Sequence, residues 1–266
     1  MTEWARGEGN VRAAVVVGSR ARSDTPADDF SDWDIVLFVR DPAPLLENEG
    51  WLKRFGSPRL CFVEPTAVGD QWEQRVLYAD GSDVDFAIVP LEFLDHPAVG
   101  AVASRGARML LDKDGELERR LVDSPLEASS PPEERTFRNV SADFWYHAVW
   151  GARKLRRGEL FVAQGCIDGH LKWLLLRMLE WHARAKDPEK DTWHRGRFLE
   201  RWADPAVVEA LPSAYGAYDE ASLARALAAT MDLFERVETE TAELLGLPRQ
   251  AEGAAFAREL VAELLG

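Results

Sequence analysis

Asp32-Trp33-Asp34-Ile35-Val36-Leu37-Phe38-Val39 is the stretch on which the fold turns. Five consecutive apolar residues, stopped by Asp41-Pro42, read as a strand buried on both faces, with two carboxylates at its mouth. Side chains at i and i+2 of a strand share a face, so Asp32 and Asp34 stand together where the strand begins. Upstream, Val11 to Val17 is a second apolar strand that ends at Gly18-Ser19, a pair suited to a sharp turn, and the polar loop Arg20 to Ser31 leads back. Downstream, Arg59 to Val63 is a shorter strand. Gln74 to Ala79 and Asp83 to Val89 then flank Asp80-Gly81-Ser82 as a hairpin that ends at Pro90.

Asp85 interrupts the apolar run of that last strand, where a carboxylate without a partner costs several kcal/mol. Asp32, Asp34 and Asp85 on one sheet face repel one another unless positive charge lies between them, and a divalent, oxygen-preferring cation such as Mg²⁺ resolves the conflict. A pair of such ions, roughly 3.5–4 Å apart, bridges a nucleoside triphosphate and an attacking hydroxyl. The Gly18-Ser19 turn offers backbone N–H groups and a hydroxyl to the phosphates. Asp83 shares the face of Asp85, but its place beside the turn points to solvent.

After about residue 135 the periodicity becomes helical. Phe144, His147, Ala148 and Gly151 follow helical spacing within Phe137 to Arg157, and Leu171, Leu174, Leu175, Met178, Leu179 and His182 trace one face of Ile167 to Arg184. Asp219 is placed to cap a helix that runs to Leu245 and stops at Gly246. Between the halves, Asp123 to Glu134 concentrates Ser, Pro and Glu without an apolar period, as a linker does. The expected organisation is therefore an α+β domain over residues 1–125, with a mixed β-sheet and flanking helices, followed by an all-α helical bundle over residues 136–266.

The 266 residues carry 32 Lys and Arg against 46 Asp and Glu, a formal net charge of −14, with no basic run long enough to hold a nucleic-acid backbone. The balance suits a cationic small substrate better. Cys61 and Cys166 are too few and too far apart for a disulfide framework or a cysteine zinc site. The first residues lack the pattern of a secretory signal, and no apolar stretch reaches the roughly 18 residues of a membrane helix, so a cytoplasmic protein is expected.

Several further residues bear chemistry. Asp168 and Lys172, at i and i+4 on the most apolar helix, could meet a cationic acceptor and a phosphate respectively, or form a plain surface ion pair. Asp143 and His147 share that spacing and could act as an acid/base pair or simply pack. Arg20, beside the Gly-Ser turn, could reach a triphosphate, as could Arg197 from the helical half.

The motifs also resemble a known family. Gly18-Ser19-Arg20, Asp28-Asp29-Phe30-Ser31-Asp32-Trp33-Asp34-Ile35, and Val84-Asp85-Phe86 followed by Pro90-Leu91-Glu92 are similar to the aminoglycoside 6-adenylyltransferases, the streptomycin-modifying branch of the nucleotidyltransferases. The likeness continues through Leu111-Asp112-Lys113-Asp114-Gly115, Asp143-Phe144-Trp145 and Leu176-Arg177-Met178-Leu179-Glu180-Trp181 to Arg197-Phe198-Leu199-Glu200-Arg201. It departs at Asp83, Leu174 and Trp193-His194, where relatives carry a basic residue, a Glu and a Gly-Lys pair. The resemblance implies a nucleotidyltransferase-type sheet domain for metal and ATP and a helical domain for the acceptor. It implies AMP transfer from ATP, with Mg²⁺, to a hydroxyl of a streptomycin-like aminoglycoside, releasing pyrophosphate. Asp32 and Asp34 would hold the metals, and Asp85 would serve as a further ligand or as the base. Gly18, Ser19, Arg20 and Lys172 would bind nucleotide, Asp168 the acceptor, in a monomer or weak dimer. Two other outcomes stay open: transfer to another small molecule or to a protein, and a nucleotide-binding module without catalysis.

Overall fold

The computed structural model describes residues 1–22, 27–122, 130–192 and 195–266, so most of the linker and the Trp193-His194 departure lie outside the described residues. The first part contains helices α1 (Thr2–Gly7), α2 (Ala43–Leu46), α3 (Pro97–Ala103) and α4 (Glu116–Val122) around six strands, β1 (Val11–Val17), β2 (Trp33–Val39), β3 (Pro58–Pro65), β4 (Trp72–Tyr78), β5 (Asp83–Pro90) and β6 (Arg108–Asp112). The strands form one sheet in the order β3-β4-β5-β2-β1-β6, antiparallel throughout except for the parallel pair β2 and β5. The mixed sheet expected from sequence is borne out.

Alternation along the central strands feeds two cores. Ala14, Val16, Ile35, Leu37, Val84, Phe86 and Ile88 pack on one face with residues from α1, α2 and the turns before β3. Ala13, Val15, Val17, Phe38 and Val89 pack on the other, with Val36 and Ala87, against Leu94 and Leu117. The parallel register sets Asp34 opposite Asp85, and the antiparallel register sets Val17 opposite Asp34. Both carboxylates thus stand on the face of Val17, Val36 and Ala87, at the edge where the apolar layer ends.

The strand β6 was not anticipated. Its five residues contain no β-branched side chain, and it forms by pairing with the edge of β1 rather than from local preference.

The remainder is helical: α5 (Glu134–Arg156), α6 (Leu160–Gln164), α7 (Leu171–Lys186), α8 (Leu199–Trp202), α9 (Pro205–Ala210), α10 (Glu220–Leu245) and α11 (Ala251–Leu265). Phe144 of α5 stacks on Phe234 of α10, ring centroids 3.6 Å apart, both fully buried among Leu171, Leu175, Met178 and Leu227. Asp219 accepts the Ser222 N–H at 2.8 Å, and Gly246 takes the left-handed conformation at φ 66° that ends α10. The expected helix Ile167 to Arg184 is α-helical only from Leu171; Gly165–His170 instead forms a π-helical turn. Gly165 and Gly169 weaken the regular helix there, and the Lys172 ammonium donates to the Ile167 carbonyl at 3.0 Å. By its internal contacts the chain divides into two units, Met1–Glu127 and Ala128–Gly266.

Candidate active site

The left-handed backbone of Gly18, φ 65°, ends β1 and starts the short 3-10 turn Gly18–Arg20. A side chain at this position would place its Cβ 1.9 Å from Asp34 Oδ2. Only glycine therefore lets the Asp34 carboxylate lie against this turn. Ser19 is buried, and its Oγ has no hydrogen-bond partner among the described residues. Arg20 donates from Nε to the Asp32 carbonyl at 2.9 Å and from Nη2 to the Ser31 carbonyl at 2.6 Å, and its guanidinium lies 4.4 Å from the Trp33 ring. Arg20 thus fastens the loop that delivers Asp32.

Asp32, Asp34 and Asp85 each bring a carboxylate oxygen within 4.8 Å of the other two. Three oxygen donors in that space suit a hard divalent cation, and the buried Ser19 hydroxyl, one residue beyond the glycine that meets Asp34, has no hydrogen-bond partner among the described residues. Asp83, as expected, is exposed.

The sequence reading missed two neighbours. Arg75 of β4 donates from Nε to Asp85 Oδ1 at 2.8 Å and from Nη1 to Glu64 Oε1 at 3.1 Å, and Glu73 shares its face of the sheet. Burial pushes Asp85 up to about 6 against the pull of Arg75, and burial together with the Asp85 charge pushes Glu73 up to about 7. The hairpin itself holds the signal: counting back from the Asp80-Gly81-Ser82 turn pairs Arg75 with Asp85.

Asp168 and Lys172 lie in the helical unit, lining a cavity of about 640 Å³ with Trp173, Leu176, Arg195 and Tyr215. Lys172 is buried; it donates to the Ile167 carbonyl and, at 2.8 Å, to Thr230 Oγ1, and sits 4.8 Å from the Tyr215 ring. Burial draws its ammonium down to about 8. Asp168 Oδ2 accepts from Gln164 at 3.3 Å, whereas the buried Oδ1 accepts no hydrogen bond, its ion-pair distance to Lys172 being 3.8 Å. Arg197 lies in the turn before α8 and gives its carbonyl to the Trp202 indole.

Residues 1–261 match the family described as streptomycin adenylyltransferase. The chain belongs to that family. The resemblance read from the motifs is borne out, and the family places the chain among the nucleotidyltransferase enzymes. Streptomycin adenylyltransferase relatives include an aminoglycoside 6-adenylyltransferase of Campylobacter jejuni, 25% identical over 247 residues, covering 90% of this chain and 84% of the relative. Another, from Bacillus subtilis (strain 168), is 26% identical over 252 residues, covering 91% and 87%. The crystal structure of an aminoglycoside 6-adenyltransferase from Bacillus subtilis aligns with a TM-score of 0.49 at 20% identity, covering 98% of this chain and 94% of that one. Among the described residues no helix is long and apolar enough to cross a membrane.

Proposed function

We propose that the protein transfers AMP from ATP to a hydroxyl of an aminoglycoside and releases pyrophosphate. The observation that carries this reading is the convergence of Asp32, Asp34 and Asp85 beside the Gly18-Ser19 turn in a chain of this family. Asp32 and Asp34 would hold Mg²⁺, with Asp85 completing the acidic set, and the ions would supply the charge that offsets the triphosphate. Gly18 and Ser19 present backbone N–H groups and the unpartnered hydroxyl to the phosphates. Arg20 keeps the Asp32 loop in register from behind. The acceptor oxygen forms a bond to the α-phosphorus as the bond to the β-phosphate oxygen breaks. The hydroxyl proton passes to Asp85 Oδ2, the oxygen that Arg75 Nε leaves to other partners. Positioning and charge neutralisation provide most of the rate.

Asp168, with one buried oxygen lacking a hydrogen bond, supplies the carboxylate for an ammonium or guanidinium of the acceptor, and Lys172 faces the same cavity. The test is incubation with ATP, Mg²⁺ and a panel of aminoglycosides. Pyrophosphate release that needs an acceptor and vanishes in Asp34→Asn supports the proposal. ATP binding without release for any acceptor overturns it in favour of a binding module, and label on a macromolecule from α-labelled ATP redirects it to a protein acceptor.

A further inference from the structure

The helical unit contains a second cluster of metal-ligating side chains with different chemistry. Asp143 and His147 lie one turn apart on α5, and Asp143 Oδ1 is 2.6 Å from His147 Nδ1. The same oxygen is 2.9 Å from Nε2 of His170, the last residue of the π-helical turn. The two imidazole rings are 4.2 Å apart, and one donor atom from each of the three residues falls within 4.8 Å of the others. We infer that Asp143, His147 and His170 form a site for a borderline transition-metal ion of the Zn²⁺ or Co²⁺ class, separate from the carboxylate cluster of the sheet.

Four observations support it. Two imidazoles and one carboxylate are the donors that Zn²⁺, Co²⁺ and Ni²⁺ prefer, whereas the all-oxygen set of Asp32, Asp34 and Asp85 prefers Mg²⁺. In a four-coordinate site with bonds of about 2.0–2.2 Å, three protein ligands leave one position for water, the arrangement of an open zinc site. The side chains are 39%, 33% and 42% exposed for Asp143, His147 and His170, so an ion reaches them directly from solvent. The π-helical turn, a rare element that recurs at functional sites, is what brings His170 to α5.

Without an ion, His170 Nε2 hydrogen-bonds Asp143 Oδ1 at 2.9 Å and His147 Nδ1 the Asp143 main-chain carbonyl at 3.1 Å; with one, each ring turns a lone pair to the metal and Asp143 remains the anion. Cys166 is adjacent, but its Sγ donates to the His147 carbonyl at 3.4 Å and does not join the three donor atoms that converge. The ligand set is therefore N₂O, without sulfur. A bound ion ties α5 to the turn that also carries Asp168, so it stiffens one wall of the helical cavity.

Cobalt(II) is the probe: the full chain, free of any polyhistidine tag, is titrated with Co²⁺ in excess Mg²⁺ while visible absorption is recorded. One equivalent with the d–d bands of a nitrogen-ligated ion of low coordination number, and no near-ultraviolet sulfur charge-transfer band, is expected. His170→Ala and His147→Ala should each weaken binding by roughly 100-fold, the upper end of what loss of even an outer-shell partner costs, with circular dichroism unchanged. Asp34→Asn and Cys61→Ser should keep the signal. No band up to millimolar Co²⁺, a band that survives His170→Ala, or a band lost in Asp34→Asn each overturns the inference. Because the readout is spectroscopic, a failed adenylyl-transfer assay leaves this result intact.

Discussion

Gly18 joins backbone geometry to carboxylate placement at a single residue. A methyl group there meets Asp34 Oδ2 at 1.9 Å and faces φ 65° as well, so Gly18→Ala has to move either the turn or the carboxylate. The expected outcome is a stability loss of about 1–2 kcal/mol and a fall in Mg²⁺-dependent turnover of at least tenfold. Thermal melts and steady-state rates measure the two, and a variant with unchanged turnover would refute the proposed role of the turn. Asp85 and Glu73 make a second prediction through pH. Both titrate above their ordinary range because burial disfavours their charged forms. Their contribution to stability is thus fully present below pH about 4, the unfolded value, and is lost as pH rises through about 6 to 7. The metal-free protein should therefore melt lower at pH 8 than at pH 5. Mg²⁺ should restore most of the loss at pH 8 and little at pH 5, where protons compete for the carboxylates. Melting scans on a pH series with Mg²⁺ or chelator check this.

At the scale of elements, what sequence revealed was what short-range rules control. The strands Val11–Val17 and Trp33–Val39, the hairpin around Gly81, the Asp219 cap and the Gly246 stop all follow from patterns a few residues long, and all stand in the structure. The β6 strand and the π-helical turn did not show, because each depends on a distant partner: β6 on the β1 edge, and the turn on packing against α5. The candidate site divides the same way. Asp32 and Asp34 were legible from i, i+2 alternation and Asp85 from a carboxylate in an apolar run, while Arg75 needed the register carried across the hairpin turn. His170 was missed because regular helical counting gives no account of a π turn. The long helices carry their own prediction. Phe234 is fully buried and stacked on Phe144, so Phe234→Ala should cost about 3–5 kcal/mol, whereas Asp219→Ala, which removes only the cap of the same helix, should cost about 1 kcal/mol. Chemical denaturation of both variants ranks them, and equal losses would contradict the stacked core.

For the whole molecule, the net charge of −14 gains a location. Asp32, Asp34 and Asp85 sit in the sheet unit, where a cation suits them, and so they say nothing about the charge of an acceptor. Asp168 is different: it belongs to the helical unit, lines the cavity there, and keeps one buried oxygen without a hydrogen bond. The Lys172 ammonium stands 3.8 Å from that oxygen, beyond hydrogen-bond reach, so a cationic group that comes closer still finds an acceptor there. Asp168→Asn takes from the buried Lys172 ammonium the carboxylate 3.8 Å away, so it should lower the melting temperature while leaving the KM for Mg²⁺-ATP unchanged. It should raise the KM for a polycationic acceptor by roughly 10- to 100-fold, the value of one charge-assisted hydrogen bond of about 1.5–3 kcal/mol. Steady-state kinetics with each substrate varied in turn separates the two constants. If Asp168→Asn instead raised the ATP constant and spared the acceptor, the helical cavity would be part of the nucleotide site, and the cationic acceptor would have to be held by other carboxylates.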